Sequence, residues 1–141
     1  MDTPNNKIYT DIILDYYRHP KNFGEIKDAQ IKSKDTNPMC GDVVEMCVKI
    51  NGGCIMDAKF CGKGCAISQA AASMLAENIQ GKSLEEVKNV SKEDVLGMLG
   101  IELSAMRLKC ALLPLKVLKV GVLNFLDSRS GNEESINNEM K

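Results

Sequence analysis

Apolar positions Ile8, Ile12, Ile13, Tyr16 and Tyr17 recur at helical spacing across residues 7–18, and Pro20 with Gly24 closes the run. The pattern predicts an amphipathic N-terminal helix. Three short apolar runs follow, over residues 31–35, 43–50 and 55–60, each with the length and composition of a strand. Gly52 and Gly53 stand between the last two as a hairpin signal. Residues 66–79 are small and helix-forming, and Gly81 follows them where a left-handed residue ends a helix. Ser83 with Glu86, and Ser91 with Asp94, have capping-box spacing and predict two short helices. A last helix is expected over residues 110–126, with Pro114 in its first turn, where a missing amide hydrogen matters least, and Cys110 near its start. Its apolar positions, among them Leu115, Leu118, Val120, Val122 and Leu123, form a band wider than one core-facing stripe. Core burial is the expected fate of that band; contact with a second copy or a partner protein is the alternative. Lys116 and Lys119 mark its wet side. Residues 128–141 carry three Asn and three Glu with almost nothing to bury. The organisation read from this pattern is one domain over 1–126 and a disordered polar tail over 127–141.

Composition narrows the partners. The chain has 141 residues, 44% hydrophobic and 26% charged, with a formal net charge of -1, which suits one ordinary globular domain. No basic excess exists to neutralise a phosphate backbone, and no Trp, three Tyr and three Phe leave few platforms for stacking bases. Nucleic acid is therefore not expected as a partner. The N-terminus lacks the pattern of an export signal, and no run approaches the roughly 18 apolar residues of a membrane span. A cytoplasmic protein is expected, in which six cysteines would stay reduced and serve metal or sulfur chemistry.

Three cysteine neighbourhoods carry candidate chemistry. Asn37-Pro38-Met39-Cys40-Gly41-Asp42 sets a thiol and a carboxylate two residues apart in a turn before a strand. Gly62-Lys63-Gly64-Cys65 puts a second thiol at a helix start, where the dipole favours a thiolate. Arg107-Leu108-Lys109-Cys110 places a third between cations at another expected helix start, and both influences favour the anion. Three thiolates and a carboxylate suffice for a tetrahedral zinc site or for the terminal ligands of a two-iron, two-sulfide cluster. Cys47, Cys54 and Cys61 read as incidental, although Cys61, four residues before Cys65, could approach the site. The single histidine, His19, lies at a helix end before Pro20 and is expected to meet the last carbonyls.

These three motifs, with the opening Tyr9-Thr10-Asp11-Ile12-Ile13-Leu14-Asp15-Tyr16-Tyr17 and His19-Pro20-Lys21-Asn22-Phe23-Gly24, resemble the IscU/SufU/NifU N-terminal iron–sulfur scaffold family over residues 8–126. The resemblance implies an α+β sandwich: a small, mainly antiparallel three-stranded sheet with helices packed on one side. It implies a site of Cys40, Asp42, Cys65 and Cys110 that receives persulfide sulfur from a cysteine desulfurase, with Cys110 as candidate acceptor. A 2Fe-2S cluster, or a 4Fe-4S one, would then be assembled and passed to carriers or apo-proteins. Such a protein is an assembly scaffold rather than an enzyme.

Departures from the family pattern bear on the alternatives. Lys109 occupies the slot where the bacterial IscU pattern has a His, and a protonated lysine is no ligand. Lys109 would act through its charge on Cys110 or pair with Asp42 in the metal-free state. With Arg107 it resembles the SufU branch, whose members are zinc-dependent sulfurtransferases. Yet the 45-residue spacing from Cys65 to Cys110 is too short for that branch's insertion. Residues 101–106 do not match the chaperone-read Leu-Pro-Pro-Val-Lys motif, and Leu113-Pro114-Leu115-Lys116 reads as helix core. A zinc-bound sulfur acceptor is the alternative function. A structural zinc protein and a redox thiol protein also remain, the last weakened by the absence of a C-x-x-C pair.

Overall fold

The computed structural model describes residues 4–139, with side chains over residues 7–129. The hairpin at Gly52 and Gly53 organises its sheet. These two residues link β2 (Asp42–Asn51) to β3 (Cys54–Lys63) with φ of 62° and 79°, a doubly positive turn that glycine takes without steric cost. β1 (Ile31–Asn37) pairs antiparallel with the other edge of β2, so the order is β1-β2-β3. Asn37 lies opposite Asp42, and Val43 opposite Lys63. That register collects the end of β1, the start of β2 and the end of β3 at one edge of the sheet.

Five helices complete the described chain: α1 (Pro4–Arg18), α2 (Ala66–Ile79), α3 (Leu84–Lys88), α4 (Lys92–Leu99) and α5 (Ala105–Glu139). α2 packs on β2 and β3, α5 packs on β1 and β2, and α1 lies against α2. Val44, Met46 and Val48 alternate inward along β2 and are fully buried, as Phe60 is on β3. α2 is enclosed almost all round, which its Ala70-Ala71-Ala72 run permits because small side chains let neighbouring elements approach. Each large apolar side chain so buried stabilises the fold by about 1.5–3 kcal/mol. Both capping boxes form as read, with the Ser83 and Ser91 hydroxyls accepting from Glu86 and Asp94 amides and those carboxylates accepting in return. The segment before β1 is tied to the free edge of β3 and to the end of β2. Gly24 N–H donates to the Phe60 carbonyl at 2.8 Å, Asp28 pairs with Lys49, and the Gln30 amide exchanges two hydrogen bonds with Ile50.

α5 departs from the sequence reading at both ends. It starts at Ala105, where the Ser104 hydroxyl accepts from Arg107 N–H at 3.3 Å, so Pro114 lies in the helix interior and Cys110 in the second turn. The proline is tolerated because the helix is bound to the sheet: Leu113, Pro114, Leu115, Val117 and Leu118 are all buried. The backbone continues as helix to Glu139, past the expected end at residue 126, and residues 140 and 141 lie outside the described chain. Val120 and Leu123 remain exposed, and Lys116 pairs with Asp35 at 2.9 Å. Among the described residues no helix is long and apolar enough to cross a membrane.

Gly121 is where α5 crosses β1. A Cβ there would stand 2.7 Å from Ile31 Cγ2 and 2.9 Å from Ser33 Cβ. Helix propensity alone would favour alanine by about 1 kcal/mol, whereas overpacking of a seated interface costs about 1–3 kcal/mol. Gly121→Ala should therefore lower the urea midpoint; a raised midpoint would mean that α5 does not seat this closely on β1.

Candidate metal-binding site

The site is built from the turn after β1, the start of β2, the cap of α2 and the second turn of α5. Cys40 N–H donates to the Asn37 carbonyl at 3.2 Å, which fixes the turn, and Gly41 turns the chain into β2 with φ of 68°. Two glycines at the end of β3 let the chain pass against β2. A Cβ on Gly62 would fall 1.9 Å from the Val43 carbonyl oxygen, and one on Gly64 would fall 2.2 Å from Asp42 Oδ1. The Gly-x-Gly-Cys spacing is thus a close-approach requirement that leads directly into α2.

Asp42 is fully buried at this junction. Its Oδ1 accepts from Cys65 N–H at 2.9 Å and from the Ser68 hydroxyl at 3.1 Å. Its Oδ2 is buried with no hydrogen-bond partner. The Cys110 thiol donates to Cys40 Sγ at 3.1 Å, and Asn37 Nδ2 lies 3.9 Å from Cys110 Sγ. The two sulfurs and an Asp42 oxygen all lie within 4.8 Å of one another. Cys65 is the N-cap of α2, its sulfur accepting from Ser68 N–H at 3.5 Å. It stands outside that tight group, yet it lies near enough to add to the upward shift of the Cys110 thiol.

The electrostatics differ from those expected at Cys110. Burial pushes its thiol well above the ordinary range, and the neighbouring Cys40, Asp42 and Cys65 side chains push it further. Flanking cations and a helix start were expected to favour the anion, but a fully buried sulfur in the second turn loses hydration first. Arg107 faces Cys65, and that neighbour, with Cys110 and Cys40 adding to it, raises the guanidinium further above its ordinary range. Lys109 is exposed and lines a groove of about 340 Å³ with Thr36, Asn37 and Leu112. Among the described residues it makes no ion pair with Asp42, whose anchored oxygen faces α2 instead.

The remaining cysteines lie elsewhere. Cys47 is buried in β2 and Cys54 is exposed at the hairpin. Cys61 does not turn to Cys65; its sulfur lies 3.4 Å from Glu45 and 4.0 Å from Glu25. Burial, and then the Glu45 hydrogen bond, push its thiol up to about 11. His19 is exposed and continues α1 through its N–H to the Asp15 carbonyl. Asn37 and Ser68 belong to the site although sequence reasoning gave them no role. The only signal was their place inside the Asn-Pro-x-Cys-Gly-Asp and Gly-x-Gly-Cys-x-x-Ser patterns.

The donor set fits a thiophilic cation. A buried carboxylate oxygen without a partner costs about 1–3 kcal/mol or more, and a metal ion at that point would satisfy it. Tetrahedral zinc with bonds of about 2.3 Å needs sulfurs about 3.8 Å apart. Cys40 and Cys110, now 3.1 Å apart, would move by less than about 1 Å.

The family description "NifU-like N terminal domain" matches residues 8–131. The chain is 34% identical over 132 residues to the zinc-dependent sulfurtransferase SufU of Bacillus subtilis, covering 82% of this chain and 89% of that protein. It is 30% identical over 125 residues to the iron–sulfur cluster assembly scaffold protein IscU of Escherichia coli, covering 86% and 96%. Among solved structures, a putative SUF-system scaffold protein from Fervidobacterium islandicum aligns with a TM-score of 0.70 at 32% identity, over 83% of this chain and 98% of that one.

Thiol reactivity in the reduced, metal-free protein should follow this geometry. Alkylation read by peptide mass spectrometry should find Cys54 modified first and the fully buried Cys47 and Cys110 last. Cys61 should stay slow near neutrality and accelerate as pH rises toward about 11, because only the thiolate reacts. Early labelling of Cys110 at neutral pH would contradict its enclosed position.

Proposed function

This chain belongs to the NifU-like N-terminal domain family, and from that premise we propose that it is a scaffold on which iron–sulfur clusters are assembled and then released. The observation that carries the reading is the convergence of the Cys40 and Cys110 sulfurs on the buried Asp42 carboxylate, which also carries an oxygen without a hydrogen-bond partner. Cys40, Asp42, Cys65 and Cys110 are the ligand set, and a 2Fe-2S cluster suits four terminal positions. Three soft sulfurs hold iron, whereas one harder oxygen leaves a position that exchanges more readily. The cluster is cargo, so a ligand that gives way serves the role.

Sulfur arrives as the persulfide of a cysteine desulfurase, with Cys110 as acceptor once local opening exposes its buried sulfur and lets the thiol ionise. The acceptor thiolate attacks the terminal sulfur of the donor persulfide, the donor S–S bond breaks, and the donor thiolate leaves. Reducing that sulfur to sulfide takes two electrons from an external donor. Carriers or apo-proteins take the finished cluster, in the cytoplasm. Arg107, beside Cys65, and the exposed Lys109 supply positive charge where anionic sulfur enters. A second reading, a zinc-dependent sulfur acceptor, rests on the likeness to the Bacillus subtilis SufU and on these two cations in place of a histidine.

Reconstitution with iron, cysteine and a cysteine desulfurase separates the two. The scaffold should develop a protein-bound visible charge-transfer spectrum, whereas a sulfurtransferase would keep zinc and stimulate desulfurase turnover. Asp42→Ala should hold its cluster longer and transfer it more slowly; transfer at the parent rate would remove Asp42 from the ligand set. Lys109→Arg should assemble like the parent, whereas Lys109→Met should accept sulfur several-fold more slowly by single-turnover persulfide labelling, since the role needs charge and not a nitrogen donor.

A further inference from the structure

The two oxygens of Asp42 are treated differently by the fold. Oδ1 is anchored to α2 by the Cys65 amide at 2.9 Å and the Ser68 hydroxyl at 3.1 Å, and Oδ2 is left bare. The amide is a fixed part of the helix cap. The hydroxyl is not, because Ser68 Oγ also lies 3.1 Å from the Cys65 carbonyl and has one proton to give. Gln69 Nε2 donates to the serine oxygen at 3.5 Å, and of the two acceptors in reach of the serine proton the carboxylate, being ionised, binds it more strongly than the carbonyl. Ser68 is fully buried and water does not compete for that proton.

We propose that Ser68 is a positioning residue, holding Asp42 by Oδ1 so that a single oxygen, Oδ2, is presented to a metal beside Cys40 and Cys110. The inference rests on the ligand set assigned above. With the Ser68 hydrogen bond in place, the carboxylate cannot turn both oxygens toward the metal without giving up two donors. Without it, one amide alone restrains the rotation. Partners that orient a ligand in this way are worth about 10–100-fold in metal affinity.

The test titrates the reduced protein with Zn²⁺ against a chromophoric chelator, and with Co²⁺ to read the visible d–d bands of the bound ion. Ser68→Ala should weaken Zn²⁺ binding by about 10–100-fold and shift the Co²⁺ bands. In an Asp42→Ala background the same substitution should change the affinity by less than about 2-fold, since a residue acting through Asp42 has nothing left to act on. Parent-like binding by Ser68→Ala, or an equal loss in both backgrounds, would overturn the proposal while leaving the ligand set standing. Failure of the parent itself to bind Zn²⁺ would sink the ligand set and this inference together. If thermal melting shows that Ser68→Ala does not fold, the isosteric pair Ser68→Thr and Ser68→Val decides. The threonine protein should bind at least about 10-fold more tightly, and equal binding by the two would end the proposal.

Discussion

A carboxylate removed from water governs this end of the molecule. Taking an ion of that size out of solvent costs several kcal/mol even after relaxation, and Asp42 is fully buried. Half of the compensation is visible. One oxygen receives an amide at the N-terminus of α2, where the helix dipole also favours negative charge, and a hydroxyl from the first turn of the same helix. The other oxygen receives nothing from the described protein. A carboxylate so incompletely compensated calls for a complement, and with the sulfurs of Cys40 and Cys110 beside it a thiophilic cation is the one proposed.

The surrounding backbone follows from placing this carboxylate. Asp42 reaches the cap of α2 only if the link from β3 passes within contact distance, and Gly62 and Gly64 are the positions where any side chain would strike Val43 or Asp42 itself. The antiparallel register then places Asn37 opposite Asp42 and within reach of Cys110. Cys65 is drawn into the same arrangement twice, its amide serving Asp42 and its sulfur capping α2. Sheet pairing, helix capping and ligand presentation are therefore one set of contacts, and a change at any of these glycines reaches all three.

Much of this was legible in the sequence where local chemistry decides the outcome. Gly52 and Gly53 demand a tight hairpin, and the two serine-led boxes demand helix starts; each takes its expected place. What local chemistry does not decide was misjudged. Pro114 suggested a helix boundary, but packing against β1 and β2 carries α5 through the proline, and the start moves back to Ser104. That shift takes Cys110 from an expected helix terminus into a buried second turn, which reverses the expected effect on its thiol. Burial is a tertiary property, and no neighbouring residue announces it. Ser68 was visible as a letter in a motif, but only the fold brings its hydroxyl to a residue 26 positions away.

Pro114 has a further consequence for the site, because its missing N–H is the one that a regular helix would give to the carbonyl of Cys110, four residues earlier. The backbone carrying the buried Cys110 sulfur is thus held by one bond fewer than its neighbours. Cys40, opposite, lies in a turn beside the exposed Met39. Asp42 and Cys65, by contrast, are joined to each other and to the first turn of α2. The site has a firm wall made of sheet and α2, faced by a turn and by a helix segment with reduced backbone bonding. Local opening is least costly where backbone hydrogen bonds are fewest. For the scaffold role proposed above, exposure of the proposed ligands therefore falls to the Cys40 and Cys110 side, while the wall keeps Asp42 in place between one ion and the next.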